Sequence, residues 1–312
     1  MIQENLKNSL ITDTLYDVRK YNTRFERTVT KFFTVRYIVK ALLTTIGVIF
    51  IAFTFILPHK HLPKVDTGEG DGSIQVYYIN LDKAEERRKA ITPQLDELGI
   101  PYQRIVAVYG KGLPQEEKDK LVNKTRFKLF MQREVLDGEI GCYLSHLNTW
   151  KEFLKSKASY ALIFEDDASF NPNELRQVVD KLIANNDKWD YVNLSPFRPG
   201  NGRVITKLTQ HYELQAPRRR MWCNACYLIN RAAAASLIKH ALPIRAAVDQ
   251  YAHRTWELGY KYRMVFPKVV DYNFGNTYIG NGGYSEKWYL RLTNKVFRDL
   301  SNFMCFVMAY MR

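Results

Sequence analysis

A chain of 312 residues is long enough for one large domain or two small ones, and 46% hydrophobic against 25% charged residues excludes a disordered or low-complexity protein. The net charge of +14 calls for an anionic partner, yet no zinc-finger, recognition-helix or RNA-platform signature accompanies it, which argues against nucleic acid. Four cysteines are too few for a disulfide scaffold at this length.

The first 64 residues hold 10 Lys/Arg against 4 Asp/Glu, most of them in a basic segment over 1–36. Residues 41–57 are 17 consecutive uncharged residues, roughly 25 Å of helix. Tyr37, Ile38 and Val39 extend the run, because Lys40 can snorkel to the interface, and Pro58 ends it. The expectation is a membrane-anchor helix over 37–58, with an anionic membrane as partner for the flanking charge. A cleaved signal peptide fits poorly, since the apolar run starts far from the N-terminus and no small-residue cleavage site follows it. Residues 59–73, with three glycines, a proline and no periodicity, read as a linker.

A globular domain is expected over 74–283. Ile74 to Ile79 is an apolar strand. Residues 83–98 follow as a helix, with Asp82 and Glu85 spaced as a capping box and Gly99 as its stop. Residues 102–108 form a second strand. Ile140, Tyr143, Leu144, Leu147, Trp150 and Leu154 recur at helical spacing over 139–154. Tyr160 to Phe164 is a short strand, Asn171 and Pro172 open another helix, and Trp189 to Leu194 is again a strand. Residues 203–206 and 211–215 suit a hairpin. Cys226 to Ile229 precedes an alanine-rich helix over 231–240, Val248 to Leu258 is helical, and Met264 to Val270 is a last strand. This alternation predicts an α/β fold with a largely parallel sheet. Residues 284–312 form a basic amphipathic helix, equally suited to lying on a membrane or packing onto the domain.

In open α/β sheets, ligands sit at the carboxyl ends of strands. One such end carries Asn80 and Asp82 beside a helix N-terminus, suited either to the base or ribose of a nucleotide or, for Asp82, to capping alone. Arg87 and Arg88 follow one turn on, within reach of phosphate. A second end carries Glu165, Asp166 and Asp167 directly after an apolar strand. Alternate residues of an extended chain face the same way, so Glu165 and Asp167 point together. Massed carboxylates need a compensating charge, and a hard divalent cation that also holds a diphosphate supplies it. Asp249, opening a helix, is the first candidate for a general base, and His146 is the second. Arg218, Arg219 and Arg220 read as a solvated loop, or as a holder of donor phosphates or of an anionic acceptor. Cys223 and Cys226 form a C-x-x-C without further zinc ligands nearby, and are expected to be reduced thiols near a core strand.

Taken together, the blocks resemble glycosyltransferase family 25, which includes lipooligosaccharide and collagen galactosyltransferases. The resemblance rests on Tyr78-Ile79-Asn80-Leu81-Asp82 with Glu86-Arg87-Arg88, Gln94-Leu95 through Leu98-Gly99-Ile100, and Ala107-Val108-Tyr109-Gly110. Gly138-Glu139-Ile140-Gly141-Cys142 with Leu144-Ser145-His146, and Phe164-Glu165-Asp166-Asp167, complete it. It implies a GT-A, Rossmann-like nucleotide-diphospho-sugar transferase fold, a Mn²⁺-type ion, an inverting mechanism and UDP-galactose as the usual donor. It gives the metal role to the acidic triplet, with Glu165 and Asp167 as ligands and Asp166 toward the donor. Asn80, Asp82 and Arg87 receive donor roles, and Asp249 suits the acid of the later catalytic block. Tyr109 stands where the family commonly has an acid, and Trp222 to Tyr227 replaces a Gly-Thr-containing block.

The implied partners are a nucleotide-sugar, a lipid-linked saccharide acceptor and a membrane. A basic N-terminus places a spanning chain's catalytic domain opposite the cytoplasm, as in a Golgi type II enzyme. The resemblance leans bacterial, so an inner membrane with a cytoplasmic active site is expected. The alternative is a membrane-tethered binding or scaffold protein on an inactive transferase fold, against which the intact acidic triplet argues.

Overall fold

Short apolar runs and the connections between them build one large mixed sheet. In chain order the strands are Ile74–Asn80 (β1), Tyr102–Val106 (β2), Tyr160–Glu165 (β3), Ala168–Phe170 (β4), Tyr191–Asn193 (β5), Arg203–Lys207 (β6), Glu213–Ala216 (β7), Cys226–Asn230 (β8), Tyr262–Phe266 (β9) and Val270–Tyr272 (β10). The helices are Glu85–Leu98 (α1), Gln115–Leu121 (α2), Lys124–Met131 (α3), Asp137–Lys155 (α4), Pro172–Ile183 (α5), Arg231–His240 (α6), Val248–Ala252 (α7), Thr255–Leu258 (α8) and Trp288–Met311 (α9).

In this computed structural model the described residues are Tyr37, Thr45, 67–197, 202–273, 280 and 282–311. The chain divides into two compact units, Met1–His61 and Leu62–Arg312, and the elements above belong to the second. The expected anchor over 37–58 lies outside the described residues except for Tyr37 and Thr45, as does most of the 59–73 linker. Among the described residues, no helix is long and apolar enough to cross a membrane.

Eight strands run in the order β2-β1-β3-β8-β5-β9-β7-β6, and β4 pairs with β10 in a separate ribbon. The α/β class holds, but the sheet is not largely parallel. Among the described residues, only β1/β2, β1/β3 and β5/β9 are parallel, while β3/β8, β5/β8, β6/β7 and β7/β9 are antiparallel. The reason lies in the stretch from β5 to β8, where four strands follow one another without a helix among the described residues. The crossover unit that imposes parallel pairing is missing there.

Both faces of the sheet are covered, which is why its central strands are continuous apolar runs rather than alternating ones. Tyr77, Ile79, Ile163 and Ile229 pack with Ile140, Leu147, Trp150 and Phe153 of α4 and Ala233 and Leu237 of α6. Val76, Tyr78, Leu162 and Leu228 pack against Ile91 and Leu95 of α1 and Leu175, Val178 and Leu182 of α5. Arg231 ties α6 to the end of α4, donating to the carbonyls of Leu154 at 2.8 Å and of Ser156 and Ala158 at 2.9 Å.

Local signals place most element ends. Gly99 stops α1 at φ 69°, and Asn171 caps α5, accepting from Asn173 N at 3.0 Å and Glu174 N at 3.1 Å. The Asp82–Glu85 capping box does not form. Helix α1 starts at Glu85 with Ala84 as its uncapped N-cap, because Asp82 turns to Arg104 at 2.7 Å instead. The single helix expected over 248–258 breaks into α7 and α8, and the last strand divides into β9 and β10 around Pro267. Helices α2 and α3 and strand β4 have no counterpart in the sequence reading.

The C-terminal helix packs onto the domain. Phe297 meets Phe130 edge-on at 4.8 Å, and Asn294 donates to Phe130 O. Cys305 Sγ lies 3.5 Å from His253 Nδ1. His253 is buried, with Tyr262 edge-on to it and Arg220 nearby, and burial with that guanidinium holds it down at about 3. An unfolded histidine titrates near 6.5, so protons bind the unfolded chain first. This group's contribution is complete above that value and is lost as pH falls toward 3, at about 1.4 kcal/mol per unit. The change His253→Asn is expected to flatten the acid limb of Tm against pH, between about pH 6.5 and 5.

Candidate active site

The acidic triplet stands where β3 leaves the sheet, and it forms a wall shared by two chambers. The smaller, about 110 Å³, is lined by Leu81, Arg87, Val108 to Lys111, Gly138, Cys142, Ser145, His146 and all three acids. The larger, about 550 Å³, is lined by Arg87, Arg133, Cys142, Glu165, Asp167, Phe197, Trp222 to Ala225, Asp249 and Tyr272 among others. Arg87, Cys142, Glu165 and Asp167 face both.

Each acid has a different environment. Asp166 is braced: Asn80 Nδ2 donates to its Oδ2 at 2.7 Å and Arg87 Nη1 to its Oδ1 at 2.9 Å. Glu165 Oε1 meets His146 Nε2 at 3.1 Å. Asp167 has a buried Oδ1 with no hydrogen-bond partner. Burial, then the neighbouring Glu165 carboxylate, push Asp167 up to about 7.

Asn80, expected at the donor, is buried and fully engaged. Its Nδ2 also donates to Ala84 O at 3.0 Å, and its Oδ1 accepts from Arg104 Nε at 3.1 Å. The structure therefore places it behind Asp166. Asp82 is mostly exposed and paired with Arg104, and it is not among the residues lining either chamber. His146 is buried with both ring nitrogens occupied, Nδ1 by Tyr227 OH at 2.8 Å and Nε2 by Glu165. That geometry suits holding Glu165 in place.

Asp249 reaches the larger chamber from the first turn of α7. Its carboxylate accepts from Cys223 N at 3.1 Å and from Gln250 N at 2.7 Å. Burial pushes it up, and these two bonds oppose the shift. Cys223 adopts φ +76°, a left-handed conformation rare outside glycine, and this turns its N–H toward Asp249. Nothing in the local sequence signals that conformation. All four cysteines are free, and Cys226 is buried in β8. The Arg218–Arg220 triplet is not a solvated loop. Arg218 lies 5.5 Å from the Tyr310 ring and Arg220 5.5 Å from the Trp222 ring, leaving only Arg219 exposed.

The Gly138 to His146 block has a packing reason. A Cβ on Gly141 would sit 2.4 Å from Val108 O, and one on Gly110 would sit 1.8 Å from Asp137 O. Ser145 Oγ accepts from Val108 N at 2.8 Å. The loop forming one wall of the smaller chamber is thus pressed against the first turns of α4. The substitution Gly141→Ala is expected to cost about 1–3 kcal/mol in urea unfolding and to deform that wall.

The donor set fits a divalent cation. An orphaned buried carboxylate oxygen on Asp167, with Glu165 adjacent, is a hard oxygen site that a cation would complete. Cys142, His146 and Glu165 offer a second, softer set, with ligand atoms within 4.8 Å of one another. Both sets share Glu165.

Residues 73–252, more than half of the chain, match the family described as Glycosyltransferase family 25 (LPS biosynthesis protein). Procollagen galactosyltransferase 1-A of Xenopus laevis is 33% identical over 126 residues, covering 38% of this chain and 21% of that protein. A glycosyltransferase 25 family member of Drosophila melanogaster is 34% identical over 119 residues, covering 36% and 19%. The aligned stretch thus spans about a fifth of the length of these curated relatives. A crystal structure of S. aureus TarS aligns over 64% of this chain and 60% of that one, at 10% identity and a TM-score of 0.39. By the match over 73–252, the chain belongs to glycosyltransferase family 25.

Proposed function

We propose that this chain is a metal-dependent, inverting glycosyltransferase. It moves a hexose, with galactose from UDP-galactose the first candidate, onto an acceptor saccharide of a lipooligosaccharide or other surface glycan. The observation that carries this reading is the acidic cluster, with the unpartnered Asp167 oxygen, on the wall between two chambers. The family's description and the relatives' names favour a galactosyl donor and a surface glycan.

In this reading the smaller chamber takes the nucleotide. Gly138, in the first turn of α4, lines it, so the positive end of the helix dipole favours a diphosphate there. Arg87, steered by Asp166, adds positive charge. Asp249 takes the proton of the acceptor hydroxyl in the larger chamber. The hydroxyl oxygen forms its bond to the anomeric carbon as the bond from that carbon to the diphosphate breaks, and the electron pair leaves on UDP. A divalent cation, manganese first, held by Glu165 and Asp167 would stabilise charge on that leaving group. His146 acts as a positioning residue for Glu165.

Residues 37–58 anchor the chain at a membrane in this proposal. The site is cytoplasmic at a bacterial inner membrane, or lumenal in a Golgi type II arrangement. The test is direct: purified full chain, a panel of nucleotide-sugars, Mn²⁺ and candidate acceptors, with UDP release measured. A failure to bind or turn over any nucleotide-sugar at any manganese concentration would sink the reading.

A further inference from the structure

Helix α9 carries large apolar residues on two faces. Against the domain it places Leu290, Ser301, Cys305 and Ala309, which are buried, and Phe297, which meets Phe130, while Asn302 accepts from Arg220 N at 3.1 Å. A second set of large apolar residues faces outward. Trp288 is 74% exposed and Phe303 60%, while Leu292, Phe306 and Tyr310 are about half exposed. At 100° per residue these five fall within a sector of about 60°, and from 288 to 310 they extend about 33 Å along the helix. Docked helices put such residues inward, and soluble surfaces rarely carry so long an apolar stripe.

The charges flank the stripe on one side. Lys287, Arg291, Lys295 and Arg298 are exposed, against Glu286 and Asp299. At the far end, Arg203 and Arg218 lie 5.6 and 5.5 Å from the Tyr310 ring. A straight apolar line with aromatic residues at both ends and a basic flank matches a planar surface of opposite charge.

We propose that the outer face of α9 lies in the interface of an anionic lipid bilayer, with Trp288, Leu292, Phe303, Phe306 and Tyr310 among the headgroups and upper acyl chains. The helix keeps its inner contacts with the domain, so docking needs no unfolding. Arg220 bonds to α9 through its backbone and stacks over Trp222, which lines the larger chamber. A bilayer under α9 would therefore lie beside the loop bordering that chamber, where a lipid-linked acceptor arrives. This last consequence rests on the proposed transfer reaction; the docking does not.

The test uses the full chain with vesicles of phosphatidylcholine, with or without phosphatidylglycerol, carrying brominated acyl chains. The difference between the chain and Trp288→Phe isolates the Trp288 fluorescence. Whether or not residues 1–66 also bind the vesicle, this signal reports on the helix. Expected is quenching of about half or more of that signal in anionic vesicles and little in zwitterionic ones. The exposed-site variants Phe303→Ser with Phe306→Ser, and Arg291→Glu with Lys295→Glu and Arg298→Glu, should each reduce the quenching severalfold, with circular dichroism unchanged. No quenching in anionic vesicles would overturn the proposal, as would quenching indifferent to both sets of variants. Protection of Trp288 from aqueous iodide without lipid would also overturn it, because a second copy or residues 1–66 would then be the cover.

Discussion

Replacing Asp167 with asparagine is expected to lower donor-dependent turnover by about a hundredfold or more while the fold survives. The carboxylate contributes a charge where its Oδ1 has no partner and Glu165 stands beside it. Asparagine keeps the shape and removes the charge, so loss of turnover with an unchanged circular dichroism spectrum isolates the electrostatic role. Stability should move the other way. With its folded value raised to about 7 from 3.8, Asp167 binds its proton more tightly in the folded chain. In metal-free protein it therefore costs nothing below about pH 4 and costs progressively more as pH rises toward 7, where the cost levels off. Asp167→Asn removes that cost, and Tm at neutral pH should rise or hold. Added manganese should raise the Tm of the wild type and not of the variant. A variant with undiminished turnover, or a wild type whose Tm and activity ignore both manganese and chelator, would remove the cation from the site.

The second large effect is expected at Asp249. Changing it to asparagine should lower kcat by about 10²–10⁴ while nucleotide-sugar binding stays within a few-fold. The split follows from placement: Asp249 lines only the larger chamber, while the proposed nucleotide site is the smaller one. Two backbone N–H groups already aim at its oxygens. An asparagine amide must turn its own N–H₂ toward one of them, at a cost of about 1–3 kcal/mol, so a melting curve accompanies the kinetics. Donor affinity measured by calorimetry separates a lost base from a lost fold. If kcat is unchanged, the base lies elsewhere. The ring of His146, held at both nitrogens, would need to break its bond to Glu165 to serve.

These expectations differ in how far the chain alone foretold them. Continuous apolar runs at β1 and β3 were legible because strands buried on both faces need no polar alternation, and the acids ending β3 stand out against such a run. Stops and caps at Gly99 and Asn171 were legible because they act within one turn of helix. The blocks around Asn80, Gly138 and Glu165 carried the family resemblance, and the match over 73–252 bears it out.

What the local pattern misjudged was set by groups distant in sequence. Asp82 was spaced to cap α1, but Arg104, 22 residues on, took its carboxylate. Asn80 pairs with Asp166 across 86 residues, a contact that no local pattern announces. The sheet is mixed because strand direction depends on which connections cross its faces, and the helix-free passage from β5 to β8 gives no periodic sign of that. The facing of α9 was likewise undecided in one dimension. Its periodic stripe specifies that one side is apolar, whereas only packing could put Leu290, Phe297, Ser301, Cys305 and Ala309 against the domain and leave Trp288, Leu292, Phe303, Phe306 and Tyr310 outward. Short-range spacing thus determined most of the elements, the family and the acids. Tertiary contacts decided which of those acids is left without a partner, because hydrogen bonds and burial are assigned in space and not along the chain.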